Sequence, residues 1–156
     1  MSFGQVEVRV FPPISVAAVK HVGPYIECGS AFQTLLTWAI QNNLPMDDAT
    51  VLGIPFDDPQ RVPESELRYL ACVTISPDTE VSGEVTREEV EGGRYACMLI
   101  EGPYEKLPEA YGYLYGEWLA RSGEKMRHAP PVEVYLNSPE NTPPEKLLTE
   151  LRMPLV

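Results

Sequence analysis

The chain has 156 residues, 44% of them hydrophobic, and a net charge of −11 at pH 7. This length and hydrophobic content are enough to bury a core, which excludes a disordered or fibrous protein. The 23 acidic side chains outnumber the 12 basic ones, so the chain repels nucleic-acid phosphates and anionic membranes and is not expected to bind either directly. The cysteines form no C-x-x-C pair and no secretory leader or membrane-length apolar run is visible, which predicts a cytoplasmic protein without a disulfide framework.

The first half of the chain predicts two strands, a helix and two further strands. The alternating valines of QVEVRV mark a half-buried strand that Pro12 and Pro13 end, and ISVAAVKHV follows as a second strand. After Gly23-Pro24, apolar residues recur at helical spacing, which predicts an amphipathic helix from residue 26 to about residue 42. Two further strands are predicted in the segments TVLGIPFDDP and LRYLACVTI.

The second half predicts the same order of elements. Gly92-Gly93 lies between GEVTREEVE and GRYACMLIE and is a hairpin signal. Gly102-Pro103-Tyr104 then opens a helix that extends to about Arg121. The last two strands are predicted in PVEVYLNSP and KLLTELRMPLV.

The two halves also match residue by residue. Gly23-Pro24-Tyr25 recurs as Gly102-Pro103-Tyr104, and the correspondence continues through helix, strand and loop, which indicates an internal duplication. Each β-β-α-β-β half is too small to bury its helix and sheet comfortably alone. We therefore predict one α+β domain over residues 1–156, with antiparallel sheets and pseudo-repeats of about 1–78 and 79–156. The repeats are expected to pair about a pseudo-twofold axis with a central ligand cleft.

An acid and a phenol distinguish the second copy from the first. Alternation along the last two strands suggests that Glu150 and Tyr135 share one face of the sheet. Their first-copy equivalents are Leu70 and Pro55, which cannot ionise. Two interpretations stay open for Glu150: it lies on a solvated face, or it lies in a pocket where burial disfavours its charge and a cationic ligand would compensate it.

The second helix is rich in aromatic residues. A stripe at helical spacing is typical of core packing, but so many hydroxyls on one helix need partners when buried and favour an aromatic-walled cleft. Each ring face would add about 0.5–2 kcal/mol of cation–π attraction. The residues concerned are Tyr104, Tyr111, Tyr113, Tyr115 and Trp118.

With these features the chain resembles the GyrI-like family, the effector-binding domain found after AraC- and MerR-type DNA-binding modules and also as free-standing proteins. The matching segments cover nearly the whole chain and are HVGPY, RYLACV, GGRYACMLIEGPY, YGEWLARSG, PPVEVYLN and PPEKLLTELRMPL. The resemblance implies a duplicated antiparallel fold with a central cleft for cationic or lipophilic aromatic compounds and an acid at its base. Because the chain begins at its first strand, the free-standing form is expected.

The resemblance also suggests site residues. Glu150 is assigned to the family's acidic position, and Trp118 and Tyr135 match aromatic positions. Tyr111 and Tyr115 are added from the same helix face. Leu70 stands where family members commonly carry Asp, so a symmetric two-acid site is not expected.

Three functions follow from these observations. The first is a protein that binds or senses cationic, lipophilic aromatic compounds in a cleft with Glu150 at its base. The second is a protein-interaction factor similar to DNA gyrase inhibitors, with gyrase as a possible partner. The third is a hydrolase of strained electrophilic natural products that uses the pocket carboxylate and a tyrosine as acid and base groups. Whether the protein is an enzyme stays open, and neither a metal nor a cofactor is predicted.

Overall fold

Antiparallel strands and helices make up the computed structural model, which describes residues 3–156. The predicted α+β class is confirmed. The chain divides into two units: the N-unit, Pro13–Glu91, and the C-unit, which combines residues 3–12 with residues 92–156. No helix in the described residues has both the length and the apolar character needed to cross a membrane.

The elements follow the predicted order along the chain. The helices are α1 (Gly29–Gln41), α2 (Leu107–Gly112) and α3 (Leu119–Ser122), and a π-helical turn (Tyr113–Trp118) joins the last two. The strands are β1 (Val6–Phe11), β2 (Ile14–Val22), β3 (Val51–Pro55), β4 (Arg68–Thr74), β5 (Thr86–Val90), β6 (Gly93–Glu101), β7 (Val132–Tyr135) and β8 (Leu148–Pro154).

The N-unit is an antiparallel sheet with α1 packed on one face. Its strands lie in the order β3-β4-β2-β5. Alternation along β2 and β4 directs every second side chain toward α1. The buried core between helix and sheet consists of Ala17, Val19, Ala31, Leu35, Trp38, Ala39, Tyr69, Ala71, Val73 and Val85.

The C-unit has the same construction. Its strands lie in the order β1-β6-β8-β7, and α2 with the π-turn covers one face. One face of the last strand is buried along its whole length, through Leu147, Thr149, Leu151, Met153 and Leu155. The core under the helix consists of Ala96, Met98, Ile100, Leu107, Ala110, Leu114, Leu151, Met153 and Leu155.

Strand pairing differs from the sequence prediction at Gly92-Gly93. These glycines were expected to close a hairpin between the strands that flank them, and that prediction is wrong. β5 pairs with β2, whereas β6 pairs with β1 and β8. A Gly-Gly pair favours a change of chain direction through a positive φ, which Gly93 adopts at +118°, but it does not determine which strands pair. The pseudo-twofold axis and a cleft along it stay predictions.

The repeated Gly-Pro-Tyr turn is built in the same way in both copies. Gly23 has a φ of +135° and Gly102 a φ of +134°, a region that residues with a Cβ rarely adopt. The Gly23 N–H donates to the Leu67 carbonyl at 2.8 Å, and the Gly102 N–H donates to the Leu147 carbonyl at 2.8 Å. The duplication seen in sequence is thus repeated in backbone conformation and hydrogen bonding.

Candidate functional site

A buried carboxylate lies between β7 and the second helix. Glu133 is only 6% exposed and pairs in register with Leu151, on the face of the sheet that packs under the helix. Its Oε2 accepts a hydrogen bond from the Tyr111 hydroxyl at 2.6 Å, and its Oε1 accepts one from the Tyr135 hydroxyl at 2.5 Å. Burial raises the pKa of Glu133 above its ordinary value, although the two hydrogen bonds act in the opposite direction.

The local sequence explains why these groups meet. Tyr135 follows Glu133 by two residues on one strand, so the two side chains lie on the same face. Tyr111 lies on α2 directly after Ala110, which is fully buried against the sheet. Packing of the helix therefore brings one phenol to the carboxylate, and strand alternation brings the other.

Further tyrosine rings pack against the two tyrosines that bind this acid. The Tyr104 and Tyr135 ring centroids are 5.6 Å apart in an edge-to-face arrangement, and those of Tyr111 and Tyr115 are 6.1 Å apart. Edge-to-face and tilted ring pairs are favourable and hold the rings in place. We name this group the acid–tyrosine cluster: Glu133, Tyr104, Tyr111, Tyr115 and Tyr135.

The remaining predicted aromatic residue, Trp118, ends the π-turn. Its side chain is partly buried and packs against the helix–sheet core, as do those of Tyr111 and Tyr115. Tyr115 lies within the π-turn, and burial raises the pKa of its hydroxyl. The structure therefore joins Tyr111, Tyr115 and Tyr135 to one cluster and places Trp118 further along the same helix.

Glu150 lies on the other face of the sheet. It pairs in register with Val134 of β7, whereas Tyr135 pairs with Thr149, and directly paired residues point to the same side. The prediction that Glu150 and Tyr135 share a face is therefore wrong. The physical reason is the register, because a shift of one residue moves a side chain to the opposite face.

The charge of Glu150 is already compensated. Its Oε1 lies 2.5 Å from Nη2 of Arg9 and accepts a hydrogen bond from Nε of Arg152 at 2.7 Å. The Arg152 guanidinium also lies over the Phe11 ring, 4.0 Å from its centroid. Burial raises the pKa of Glu150, but the hydrogen bonds and charges of Arg152 and Arg9 outweigh it, and the pKa lies below its ordinary value. An acid with two arginine partners has little remaining attraction for a cationic ligand.

Replacement of Glu150 tests this structural role. Glu150→Gln is expected to destabilise the protein by about 1 kcal/mol at neutral pH, because it removes the ion pairs with Arg9 and Arg152. Solvent partly screens the pair with Arg9, and the pair with Arg152 is less exposed and contributes more. A lowered pKa in the folded state gives stability that is present above the ordinary pKa and lost as the pH falls. Urea unfolding at neutral pH and near pH 3 should show the difference between wild type and variant shrink in acid. An equal difference at both values would contradict this role.

The signal that points to Glu133 was present in the sequence. Alternation places Glu133 and Tyr135 of VEVY on one face, with Val132 and Val134 on the other. Strand alternation and the family resemblance instead pointed to Glu150 on the next strand. A buried charged residue in a strand, two positions from a phenol, is the feature that sequence reasoning missed.

The first copy has no acid at the equivalent place. By the repeat, Gly53 of β3 corresponds to Glu133 and Pro55 to Tyr135, and Gly53 pairs with Ala71 as Glu133 pairs with Leu151. The N-unit instead packs rings together here: the Tyr69 centroid lies 5.7 Å from that of Tyr25 and 6.0 Å from that of Phe32. The buried acid is thus a property of the second copy.

A groove in the N-unit is chemically different. It has a volume of about 480 Å³ and lies between α1 and residues 82–85, where the Trp38 indole N–H donates to the Ser82 hydroxyl at 3.3 Å. Its other walls are mainly exposed polar side chains, among them Gln33, Thr34 and Glu84. It contains none of the predicted site residues, so the acid–tyrosine cluster is the better candidate site.

Comparison with known protein families and relatives gives consistent results. A family model described as a GyrI-like small molecule binding domain matches residues 4–156. The probable transcriptional regulator YgiV of Escherichia coli K12 is 29% identical over 149 residues, which cover 93% of this chain and 92% of YgiV. A DNA gyrase inhibitor of Yersinia enterocolitica is 28% identical over 130 residues, 80% of this chain and 82% of the inhibitor.

Solved structures share the fold at lower identity. The C-terminal domain of EcmrR superposes with a TM-score of 0.84 at 17% identity, covering 100% of this chain and 99% of that domain. The chain spans 57% of the EcmrR chain in a DNA complex. The structure of SAV2435 bound to tetraphenylphosphonium matches with a TM-score of 0.61 at 14% identity, covering 97% of this chain and 94% of SAV2435.

Proposed function

The chain belongs to the GyrI-like family of small-molecule binding domains, and from this premise we propose that it binds an aromatic cation at the acid–tyrosine cluster. The observation that carries the proposal is the buried Glu133 carboxylate, held by the hydroxyls of Tyr111 and Tyr135. The tetraphenylphosphonium bound to the structural relative SAV2435 is an aromatic cation, which supports this ligand class. Glu133 replaces Glu150 as the acid of the site.

The electrostatics of Glu133 favour a cationic ligand. Its partners within residues 3–156 are two neutral hydroxyls, and no arginine or lysine there forms an ion pair with it. A buried carboxylate without a counter-charge is unstable in its ionised form. A bound cation supplies the missing charge in a medium of low dielectric constant, where the attraction is stronger than in water.

The aromatic residues suit a large, flat or multi-ring cation. Tyr111 and Tyr135 contact the carboxylate through their hydroxyls, and the Tyr104 ring packs edge-to-face on Tyr135. Each ring face that contacts a cation adds about 0.5–2 kcal/mol. Tyr115 and Trp118, further along the helix, extend the proposed walls. The hydroxyls of Tyr111 and Tyr135 keep the acid in place, so the rings and the charge act on one ligand.

Calorimetric titration with two probes of matched shape and opposite charge tests the proposal. Tetraphenylphosphonium is expected to bind wild-type protein, and tetraphenylborate is expected not to bind. Equal affinity for both ions would show that hydrophobic contact alone drives binding and would refute a role for Glu133.

The hydroxyls of Tyr111 and Tyr135 are expected to lower the pKa of Glu133 and so to strengthen cation binding. In Tyr111→Phe or Tyr135→Phe the carboxylate loses one donor that favours its ionised form, so the pKa of Glu133 rises further. Affinity for tetraphenylphosphonium is expected to fall about 3- to 10-fold at neutral pH, with a smaller loss at higher pH where Glu133 ionises. The matched control is Tyr113→Phe, since the Tyr113 hydroxyl accepts a hydrogen bond from Arg121 on the surface. A loss that is the same at every pH would argue against this coupling.

A second candidate function is hydrolysis by acid catalysis. It is favoured by the same carboxyl group, because a raised pKa allows Glu133 to hold a proton that it could transfer to a reacting group. Incubation with strained-ring electrophiles, followed by mass spectrometry, would detect the ring-opened product of water addition. Turnover by wild type that is lost in Glu133→Gln would support it, and binding without product would leave the binding function alone.

A further inference from the structure

The hydroxyl of Tyr115 is a buried polar group without a hydrogen-bond partner among residues 3–156. Its oxygen exposes less than 1 Å² to solvent, and burial raises its pKa, so it retains its proton. A buried donor left unpaired destabilises the folded protein. Such groups are rare in native proteins and require an explanation, such as an ordered water or a ligand.

The position of this hydroxyl links it to the proposed site. The Tyr115 ring lies next to the Tyr111 ring, at 6.1 Å between centroids, and the Tyr111 hydroxyl donates to Glu133. Tyr115 also lies in the π-turn, a widened helical turn that often occurs at functional sites. The residue with the unpaired donor and the buried acid are therefore linked through Tyr111 within one cluster.

The other hydroxyls nearby behave differently. Tyr111 and Tyr135 donate to Glu133, and Tyr113 accepts from Arg121 at 3.0 Å. Each of these three groups has a partner that explains its place in the fold. The Tyr115 hydroxyl lacks one, although a phenylalanine would fill the same space without the cost of an unpaired donor.

We propose that the Tyr115 hydroxyl donates a hydrogen bond to the ligand, so that the ligand is an aromatic cation that also carries a neutral acceptor such as a carbonyl, amide or ether oxygen. This inference rests on the proposed cation-binding function. The ionised Glu133 only accepts hydrogen bonds and attracts the positive charge, whereas the unpaired Tyr115 O–H offers a donor. A site with both groups discriminates against cations that are pure hydrocarbon, because they leave the donor unpaired.

The test uses two series of cationic probes that differ only in the acceptor. One series consists of triphenylphosphonium salts whose fourth ring is an acetylphenyl group, which carries a carbonyl oxygen. The other series has an isopropenylphenyl group, which has the same shape without the oxygen. Both series include the meta and the para isomer, so that the acceptor is tried at two positions. Wild type is expected to bind at least one acetyl isomer about 3- to 10-fold more tightly than its isopropenyl match. In Tyr115→Phe, which keeps the ring and removes only the hydroxyl, this preference for the acetyl probe over its isopropenyl match should disappear.

Control variants separate the possible failures. Tyr113→Phe should keep the acetyl preference, and thermal unfolding should show Tyr115→Phe to be at least as stable as wild type. If Tyr115→Phe keeps the preference, or if wild type prefers neither acetyl isomer, the inference is overturned and a water satisfies the hydroxyl. If wild type binds none of the cations, or Glu133→Gln binds them equally well, the proposed function itself fails and the inference fails with it.

Discussion

Glu133→Gln is expected to weaken binding of tetraphenylphosphonium about 30- to 100-fold near pH 8, since a buried charge interaction of this kind contributes about 2–3 kcal/mol. The amide has nearly the same size; its oxygen can accept a hydrogen bond from one of the two tyrosines, Tyr111 or Tyr135, and its NH2 group can donate to the hydroxyl oxygen of the other. The change therefore removes the charge and keeps the shape of the site. Isothermal titration calorimetry of wild type and variant under the same buffer conditions measures the difference.

Glu150→Gln is the matched control for this experiment. It removes one carboxylate from the same sheet, but from the opposite face, where Arg9 and Arg152 already neutralise it. Its affinity for tetraphenylphosphonium is expected to stay within about twofold of wild type, because the exposed net charge changes only slightly and is screened by salt. A large loss in Glu150→Gln together with normal binding by Glu133→Gln would restore the sequence-based assignment and refute the present one.

The same Glu133→Gln variant is expected to gain stability relative to wild type as the pH rises. The pKa of Glu133 is higher in the folded protein than its ordinary value of 4.5, so folding favours the protonated form. Wild type thus loses stability between about pH 4.5 and the folded pKa, by ~1.4 kcal/mol for each unit of elevation, while the glutamine variant does not titrate. Below the ordinary pKa both side chains are neutral, and the difference should be small.

Chemical denaturation of both proteins from about pH 4 to pH 9 measures this effect. The variant's advantage should grow with pH and then become constant. When both proteins also carry Tyr111→Phe, the stability advantage of Glu133→Gln should increase more with pH, because that change removes a hydrogen bond that favours the charged form of Glu133. A wild type that is more stable than the variant at high pH would mean that Glu133 is stabilised as a carboxylate without any ligand, which contradicts the account.

Much of the fold could be predicted from local patterns. The 3.6-residue period of α1 and the alternation in β2 depend on neighbours in sequence, and the structure confirms both elements. The repeat supplied the second half, including the matched turns at Gly23 and Gly102. Family membership followed from motifs spread over nearly the whole chain, which a single motif such as Gly-Pro-Tyr would not have supported.

The parts that could not be predicted depend on contacts between distant residues. Pairing of β5 with β2 joins strands far apart in sequence, and the Gly92-Gly93 signal suggested a local hairpin. Whether Glu150 shares a face with Tyr135 depends on the register of β7 against β8, where a shift of one residue decides the face. The widened π-turn around Tyr115 has no pattern in its sequence that distinguishes it from an ordinary helix.

The predicted tyrosines of the site could also be found from local patterns. Tyr111 and Tyr135 donate to one carboxylate, and the Tyr115 ring lies next to the Tyr111 ring. These three tyrosines could be selected from the sequence because periodicity shows which residues share a helix face or a strand face. Their role in ligand binding stays a proposal, as does that of Trp118. Interaction with DNA gyrase stays a prediction from the family resemblance.

A crystal structure with tetraphenylphosphonium would locate the cation site directly. The phosphorus atom is expected near the Glu133 carboxylate, with rings of the acid–tyrosine cluster within about 6 Å of the cation. A cation bound in the groove between α1 and residues 82–85, or beside Glu150, would refute the proposal that Glu133 and the surrounding tyrosines form the site.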